Sequence, residues 1–528
     1  MLYVYLGIVY FMYFLVKSVK TLQFLQQNRY NRGGKYNLYI NSHLKQTYIN
    51  PELTLIPFLL IINYISGELL YTFVILYALY TFIFIRNNQK VAKKQPLVVT
   101  KRIQRLYVTL FVIYVSTLAF GYYFMYPKYE LYLYIILWLF VYLIHYVVMF
   151  ANYINTPVEK LVGLYYITKA KRKLKSMSNM SVIGITGSYG KTSSKNILSD
   201  ILNVKFNAMP TPKNFNTPFG LTRTINENLD KFNDFFIAEM GACKTGEIKE
   251  LCNLVHPKYG ILTKIGVAHL ETFKSEENIQ KTKFELIESL PVDGVGVLNI
   301  DDPKQKNYKG NFKCKIITIG IDDKDADVKA SNIKLSNTGT TFKVKFRGDK
   351  KEYLFETKLL GKANIYNILA GIALGDYLGI SKDMLIGAVK KVTPVEHRLQ
   401  LKKYLNMHLI DDAYNANPDG CKMALDVLNM MPGKRIVISS GMIELGNLSD
   451  SLHLDLGKYM SDKTDEVILI GKEQTKYIYK GLIDSNYNKE NIHVLNNIMD
   501  AFSLLNKLGD KDTYVLLQSD LPDIFNEK

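Results

Sequence analysis

"VIGITGSYGKTSSKNIL", residues 182–198, runs an apolar strand into a glycine-rich turn, then Lys191, Thr192 and a helical pattern. Val182 to Thr186 reads as a short buried strand. Ser193 to Leu202 places Ile197, Leu198, Ile201 and Leu202 on one helical face. Between them Gly187, Ser188, Tyr189 and Gly190 supply a tight turn, whose backbone N–H groups, with the helix N-terminus, form an anion cradle. Lys191 can then reach terminal phosphates and Thr192 can ligate magnesium. Residue 185 is isoleucine, so the spacing departs from GxxxxGK[ST]. Strand, turn, Lys-Thr and helix together still favour phosphate binding over a decorative turn.

The chain of 528 residues has room for two to four domains. Its 66 Lys and Arg against 48 acidic residues leave a net charge of +18, which raises nucleic acid as a partner. No nucleic-acid motif accompanies that charge. Instead, Arg86, Lys90, Lys93, Lys94, Lys101, Arg102 and Arg105 crowd an acid-free loop beside apolar runs, the pattern of positive-inside flanks. No nucleic-acid partner is expected.

Residues 1–16 are uncharged and lack a basic leader and a cleavage site, so they read as an uncleaved anchor. Residues 106–126 and 131–150 are two uncharged runs of about 20, long enough to span hydrocarbon as a hairpin. Leu53 to Ile85, interrupted at Ser66, Gly67 and Glu68, reads as two short spans. The expectation is a polytopic domain over residues 1–155, with five spans or alternatively four, in the cytoplasmic membrane. Asn63, Glu68 and His145 are its polar exceptions, either packing or interfacial residues or marks of a lipid-substrate site. Residues 156–179, with Lys169, Lys171, Arg172, Lys173 and Lys175, suit a basic linker or a helix lying on an anionic inner leaflet. Either places residues 180–528 in the cytoplasm. Four scattered cysteines without a CxxC pair read as reduced thiols.

TGSYGKTS resembles the loop of the Mur ligases, and further motifs come after it in order. "KNFNTPFGL" (213–221), "IAEMGACKTGEI" (237–248), "IGVAHLETF" (265–273), "KTKFELI" (281–287) and "VLNIDD" (297–302) are similar to that family's central domain. "GKANIYNILA" (361–370), "PVEHRL" (394–399) and "DDAYNANPDG" (411–420) continue the likeness, the last resembling the subgroup that adds D-alanyl-D-alanine. The resemblance implies an α/β architecture: a P-loop central ATP-binding domain over residues 180–397 and a doubly wound, Rossmann-like C-terminal domain over 398–528. Apolar runs at Arg435–Ser439, Val467–Ile470, Ile492–Leu495 and Tyr514–Leu517, separated by helical patterns, agree with the second.

By resemblance the chain is an ATP-dependent amide-bond ligase of the bacterial cell envelope, working through an acyl phosphate with about two magnesium ions. Gly187, Ser188, Gly190, Lys191, Thr192 and Ser193 hold the phosphates. Glu239, ending the apolar run Phe235–Ala238, and His269, following Gly260–Ile265, hold magnesium with Thr192. Lys283 corresponds to a lysine that is carbamylated in most Mur ligases; the alternative is a solvated lysine in a charged helix. Asn299 and Asp302 lie on the adenine side, and Arg398 reaches the phosphates from the domain hinge. Asp412, Tyr414, Asn415 and Asn417 close over ATP, with Tyr414 able to stack on adenine.

The sequence departs from the family in four places. Apolar helices stand where the family has a UDP-sugar-binding domain. Ser440, Gly441 and Met442 replace the family's GDM, "VLLQSDLPD" (515–523) replaces a Lys-Gly-Ser turn, and Ala363 replaces a frequent histidine. The ATP-handling residues are kept and the substrate-handling ones altered. The expected partners are therefore an envelope-precursor carboxylate, lipid-linked in the favoured case, an amino-acid or dipeptide amine, membrane lipids and other envelope-synthesis membrane proteins. The competing expectations are a membrane-associated poly-γ-glutamate-type synthetase and a nucleotide-binding scaffold without turnover.

Overall fold

The computed structural model describes residues 2–28, 30, 65, 75–76, 78–80, 82–83, 86, 96–125, 128, 130–268, 270–336, 339–414, 417–443, 445 and 448–519. The expected spans within 53–85, and with them Asn63 and Glu68, fall largely or wholly outside these residues, as do His269 and Asn415. The chain divides into two units, one up to Leu164 and one from Tyr165 onward.

The first unit contains the helices Leu2–Gln27, Lys101–Met125, Glu130–Tyr142 and the start of Ile144–Lys175. Its core joins Tyr10, Tyr13 and Phe14 to Leu106, Leu110 and Tyr114, and to Val141 and Val148. Helix Lys101–Met125 is long and apolar enough to cross a membrane, and only 17% of its most apolar window is buried. Val108, Phe111, Val112, Phe120 and Phe124 face outward from it. The expected single span over 131–150 is not one helix. It breaks at Leu143, and the segments Ile135–Tyr142 and Ile144–Lys175 meet at 79°. No proline or glycine sits at that break. His145 is buried, with Nδ1 3.4 Å from the Thr21 hydroxyl, as a packing residue would be.

The second unit holds two sheets. The first uses β1 (Ser181–Thr186), β2 (Ala208–Pro210), β3 (Phe235–Glu239), β4 (Tyr259–Leu262) and β5 (Val295–Asn299). It continues through β6 (Lys315–Gly320), β7 (Val328–Ser336), β8 (Gly339–Phe346) and β9 (Glu352–Thr357). The order is β2-β3-β1-β4-β5-β6-β7-β8-β9, parallel as far as β7 and antiparallel from there. β1, β3, β4 and β5 are buried along their whole lengths or all but one residue, as strands covered on both faces must be. β4 stops at Leu262, three residues before the end of the apolar run, because the chain leaves the sheet to form the loop beneath the glycine turn.

The second sheet has β10 (Gln400–Tyr404), β11 (Met407–Asp411), β12 (Lys434–Ser439), β13 (Glu466–Ile470), β14 (Ile492–Leu495) and β15 (Thr513–Leu517). Its order β10-β11-β15-β12-β13-β14 is parallel except for the β10–β11 hairpin. All four strands read from its apolar runs are present. All four cysteines are free thiols.

Candidate active site

The glycine turn is shaped by close approach. Gly187 has φ +155°, and a Cβ there would lie 2.0 Å from Thr263 Oγ1 on the loop after β4. Gly190 is left-handed, with φ +81°, and caps the helix Lys191–Leu202, a conformation that glycine adopts without cost. The N–H groups of Ser188 and Tyr189 both donate to Lys264 O, at 2.9 and 3.4 Å, and Ser188 Oγ donates to Gly266 O at 2.9 Å. These two residues therefore anchor the turn and do not form the cradle that their N–H groups suggested. The donors left available to an anion are the first-turn N–H groups of the helix, which have no partner within it. Lys191 Nζ curls back to Gly187 O at 2.7 Å and Ser188 O at 3.0 Å, which sets its charge over the same helix start.

Glu239 ends β3, which pairs with β1. It is 1% exposed, and Oε1 accepts from Thr192 Oγ1 at 3.2 Å and Asn216 Nδ2 at 3.0 Å. Oε2 receives no well-oriented hydrogen bond but has Lys195 Nζ 3.1 Å away. Lys283, on the helix Glu276–Glu288, is 2% exposed, with Nζ 3.4 Å from Ala242 O and 5.5 Å from the Phe273 ring centre. It is not a solvated helix residue. Burial, and secondly the Lys191 ammonium, bring its pKa down to about 7. Burial likewise lowers Lys191, against the opposing pull of Glu239. Lys191 and Lys195 both feel the one Glu239 carboxylate, so this cluster carries more positive than negative charge, as a polyanion requires.

Among the described residues no group of three or more His, Cys, Asp or Glu comes together as a metal cage. Magnesium keeps several water and phosphate ligands and needs only one or two from protein. Glu239 with the Thr192 hydroxyl fits that requirement.

Asn299 closes β5 and lines a cavity of about 150 Å³ together with Gly190, Ser193, Arg398, Asp412 and Asn417. Asp302 does not. Its Oδ1 caps the helix Pro303–Lys306 by accepting from Lys304 N at 3.0 Å. Its Oδ2 accepts from Ile265 N at 3.0 Å and Gln305 Nε2 at 3.2 Å, which leaves it a structural residue. Asn417 lines the cavity but spends Oδ1 on Gly420 N at 2.8 Å, as the cap of helix Pro418–Asn429.

Arg398 sits between two non-glycine residues with left-handed backbone, His397 at φ +58° and Leu399 at +48°. Its guanidinium lies 4.3 Å over the Tyr414 ring. Tyr414 OH accepts from Asn214 Nδ2 at 2.9 Å, so one ring face and the hydroxyl already have partners; adenine stacking is left the other face. Burial pushes the Asp412 carboxyl up to about 7, with Arg398 opposing.

Three contributors carry no signal of their own in the sequence. Lys195 pairs with Glu239, Asn216 holds the same carboxylate, and Asn367, from helix Lys362–Tyr377, packs against Gly190 and lines the cavity. Asn216 and Asn367 do lie inside family-like motifs, KNFNTPFGL and GKANIYNILA.

Residues 185–375 match the Mur ligase middle domain, and residues 397–519 match the Mur ligase glutamate ligase domain. The UDP-N-acetylmuramoyl-tripeptide--D-alanyl-D-alanine ligase of Bacillus subtilis (strain 168) is 30% identical over 342 residues, 64% of this chain and 72% of that protein. The ligase of the same name from Escherichia coli (strain K12) is 30% identical over 295 residues, 55% of this chain and 65% of that one. Among solved structures, the MurF ligase from Thermotoga maritima in complex with ADP superposes with a TM-score of 0.61 at 24% identity, covering 68% of this chain and 80% of that one. MurF from Acinetobacter baumannii gives a TM-score of 0.60 at 23% identity, with coverage of 68% and 77%. These superpositions show a shared fold.

Proposed function

The chain belongs to the Mur ligase family, and from that premise we propose that it is an ATP-dependent carboxylate–amine ligase of peptidoglycan precursor synthesis, adding D-alanyl-D-alanine to a muramoyl peptide. A substrate carboxylate oxygen bonds to the γ-phosphorus and ADP leaves. The dipeptide amine then bonds to the acyl carbon, inorganic phosphate leaves, and the amine gives up a proton. Magnesium, when bound, neutralises charge on the phosphate oxygens. Lys191 and the helix start offset the phosphate charge from one side, and Arg398 does so from the other. Lys283 is neutral above about pH 7, the form that reacts with carbon dioxide, so burial prepares it for carbamylation.

One observation carries this reading. Gly190 and Ser193 from the first sheet's domain and Arg398, Asp412 and Asn417 from the second line a single cavity. The test is phosphate release by full-length protein in detergent, supplied with ATP, a muramoyl-tripeptide precursor and D-Ala-D-Ala. Release that requires both precursor and dipeptide is expected. Release indifferent to either would overturn the assignment.

The finer proposal concerns place. Residues 1–155 form a multi-pass membrane domain and 156–179 a basic connector, with the ligase domains, 180–397 and 398–528, on the cytoplasmic side. A helix of 25 residues with little of its apolar surface buried supports this, because a water-soluble core would cover that surface. Such a domain favours a lipid-linked acceptor. In liposomes the lipid-linked precursor should be used at lower concentration than its soluble UDP counterpart. Saturable turnover of the soluble form at equal efficiency would remove this proposal and leave the ligase reaction standing.

A further inference from the structure

Lys195 lies one helical turn beyond Lys191 and is as buried as the carboxylate it faces, each 1% exposed. Its ammonium is 3.1 Å from Glu239 Oε2 and donates to Lys213 O at 2.5 Å. The other carboxylate oxygen is occupied by Thr192 and Asn216. The carboxylate suited to a metal ion therefore already holds a cation, one supplied by the chain itself.

We propose that Lys195 is an internal counter-cation that a divalent metal ion displaces from Glu239, the ammonium staying with the Lys213 carbonyl. The proposal rests on Glu239 being the metal carboxylate. The ammonium balances the charge of a carboxylate whose other oxygen is held by Thr192 and Asn216, so Glu239 is buried with a counter-charge before metal arrives. A divalent ion on the same carboxylate would stand within a few ångströms of the ammonium, where like charges repel strongly. Metal must therefore compete with Lys195, and the competition lowers metal affinity in the absence of nucleotide. With nucleotide present, the phosphates bring negative charge that offsets the surplus of Lys191, Lys195 and the metal together. Lys195 thus makes productive metal binding conditional on nucleotide, acting as a positioning residue through Glu239.

The test uses full-length, nucleotide-free protein in detergent, with thermal unfolding in chelator and with added magnesium, and manganese binding followed by electron paramagnetic resonance. Lys195→Met should bind manganese about tenfold more tightly than the parent, melt lower in chelator and recover its melting temperature as metal is added. Lys195→Arg, which keeps the charge, should behave as the parent. Should Lys195→Met not fold, Lys195→Gln retains a donor for the Lys213 carbonyl, and Lys195→Met/Glu239→Gln removes both charges; the first should repeat the tighter binding and the second should melt like the parent with or without metal. Manganese binding by Lys195→Met or Lys195→Gln that equals or falls below the parent's would overturn the proposal. Unchanged manganese binding by Glu239→Gln would instead remove Glu239 from the metal site, and the premise with it.

Discussion

On the β1–β3 side, Lys195, Glu239 and Lys283 are buried and Lys191 is half-buried, and each is tied to a carbonyl, a hydroxyl or an opposite charge. On the β10–β11 side, Tyr414 is 50% exposed and Arg398 rides on a backbone with two left-handed non-glycine residues. Each such residue stores on the order of 1 kcal/mol or more and persists only when its surroundings hold it. Here the holders are two neighbouring aspartates. Asp411 Oδ2 lies 2.8 Å from His397 Nδ1 and 2.7 Å from Lys402 Nζ, and Asp412 Oδ1 accepts from Leu399 N at 3.2 Å. The contrast separates two tasks. In the proposed function, phosphate would meet the preformed cluster, where charge acts strongly because little must reorganise. Arg398 and Tyr414 would then meet the nucleotide from the more exposed side.

The preformed side should give the largest effect. Lys191→Ala is expected to lower kcat by about a thousandfold or more while the melting temperature moves by only a few degrees, because the lost contacts are transition-state charge contacts. Phosphate release and thermal unfolding on one preparation check both halves. Activity within tenfold of the parent would erase the distinction between the two sides.

On the more exposed side, Arg398→Ala should reduce kcat/KM by about fiftyfold, and Arg398→Lys should recover little, since lysine lacks the planar group that stacks on Tyr414. Steady-state kinetics on the pair of variants would show whether charge alone suffices.

Lys283 sharpens the comparison through pH. Its folded pKa, about 7, is below the ordinary 10.5, so between those values the unfolded chain holds a proton that the native protein lacks. Stability should rise with pH across that window, and below pH 7 the penalty for the buried ammonium should be constant. Lys283→Met should remove the slope and be more stable at pH 6 by up to about 5 kcal/mol. Denaturant titrations from pH 6 to 10 in carbon-dioxide-depleted buffer measure this. Parallel curves for parent and variant would mean that Lys283 is not desolvated.

Tyr414→Phe should have the smallest effect, about threefold or less in kcat/KM. It removes one exposed hydrogen bond to Asn214 and leaves the ring under Arg398. A loss as large as that of Arg398→Ala, in the same kinetic assay, would make Tyr414 part of the preformed machinery.

Much of the site is open to reading from sequence, including some that the motifs misdirect. Asp302 and Asn417 each precede a proline at a helix start, the local signature of an N-cap. That role accounts for Asp302, whereas Asn417 combines it with a place in the cavity lining. Lys283 lies four residues after Ile279 and four before Ile287, both buried, so the apolar stripe of its helix already ran through it. Its charged neighbours Lys281 and Glu285 masked the signal.

What the sequence determined by itself was local: the apolar runs that became β1, β3, β5 and β12 to β15, the glycine turn, and the helix after it. Those features depend on side-chain period and on backbone freedom within a few residues. Only the tertiary structure decided which charges meet. Glu239 reaches Thr192 and Lys195 because β3 lies beside β1, a neighbour chosen by sheet order and not by chain order. Lys195 follows Lys191 by four residues, the spacing of a helix face that could as well be wet. Its partner comes from another strand, and only burial of that strand beside the helix turns a surface-type lysine into the counter-charge of Glu239.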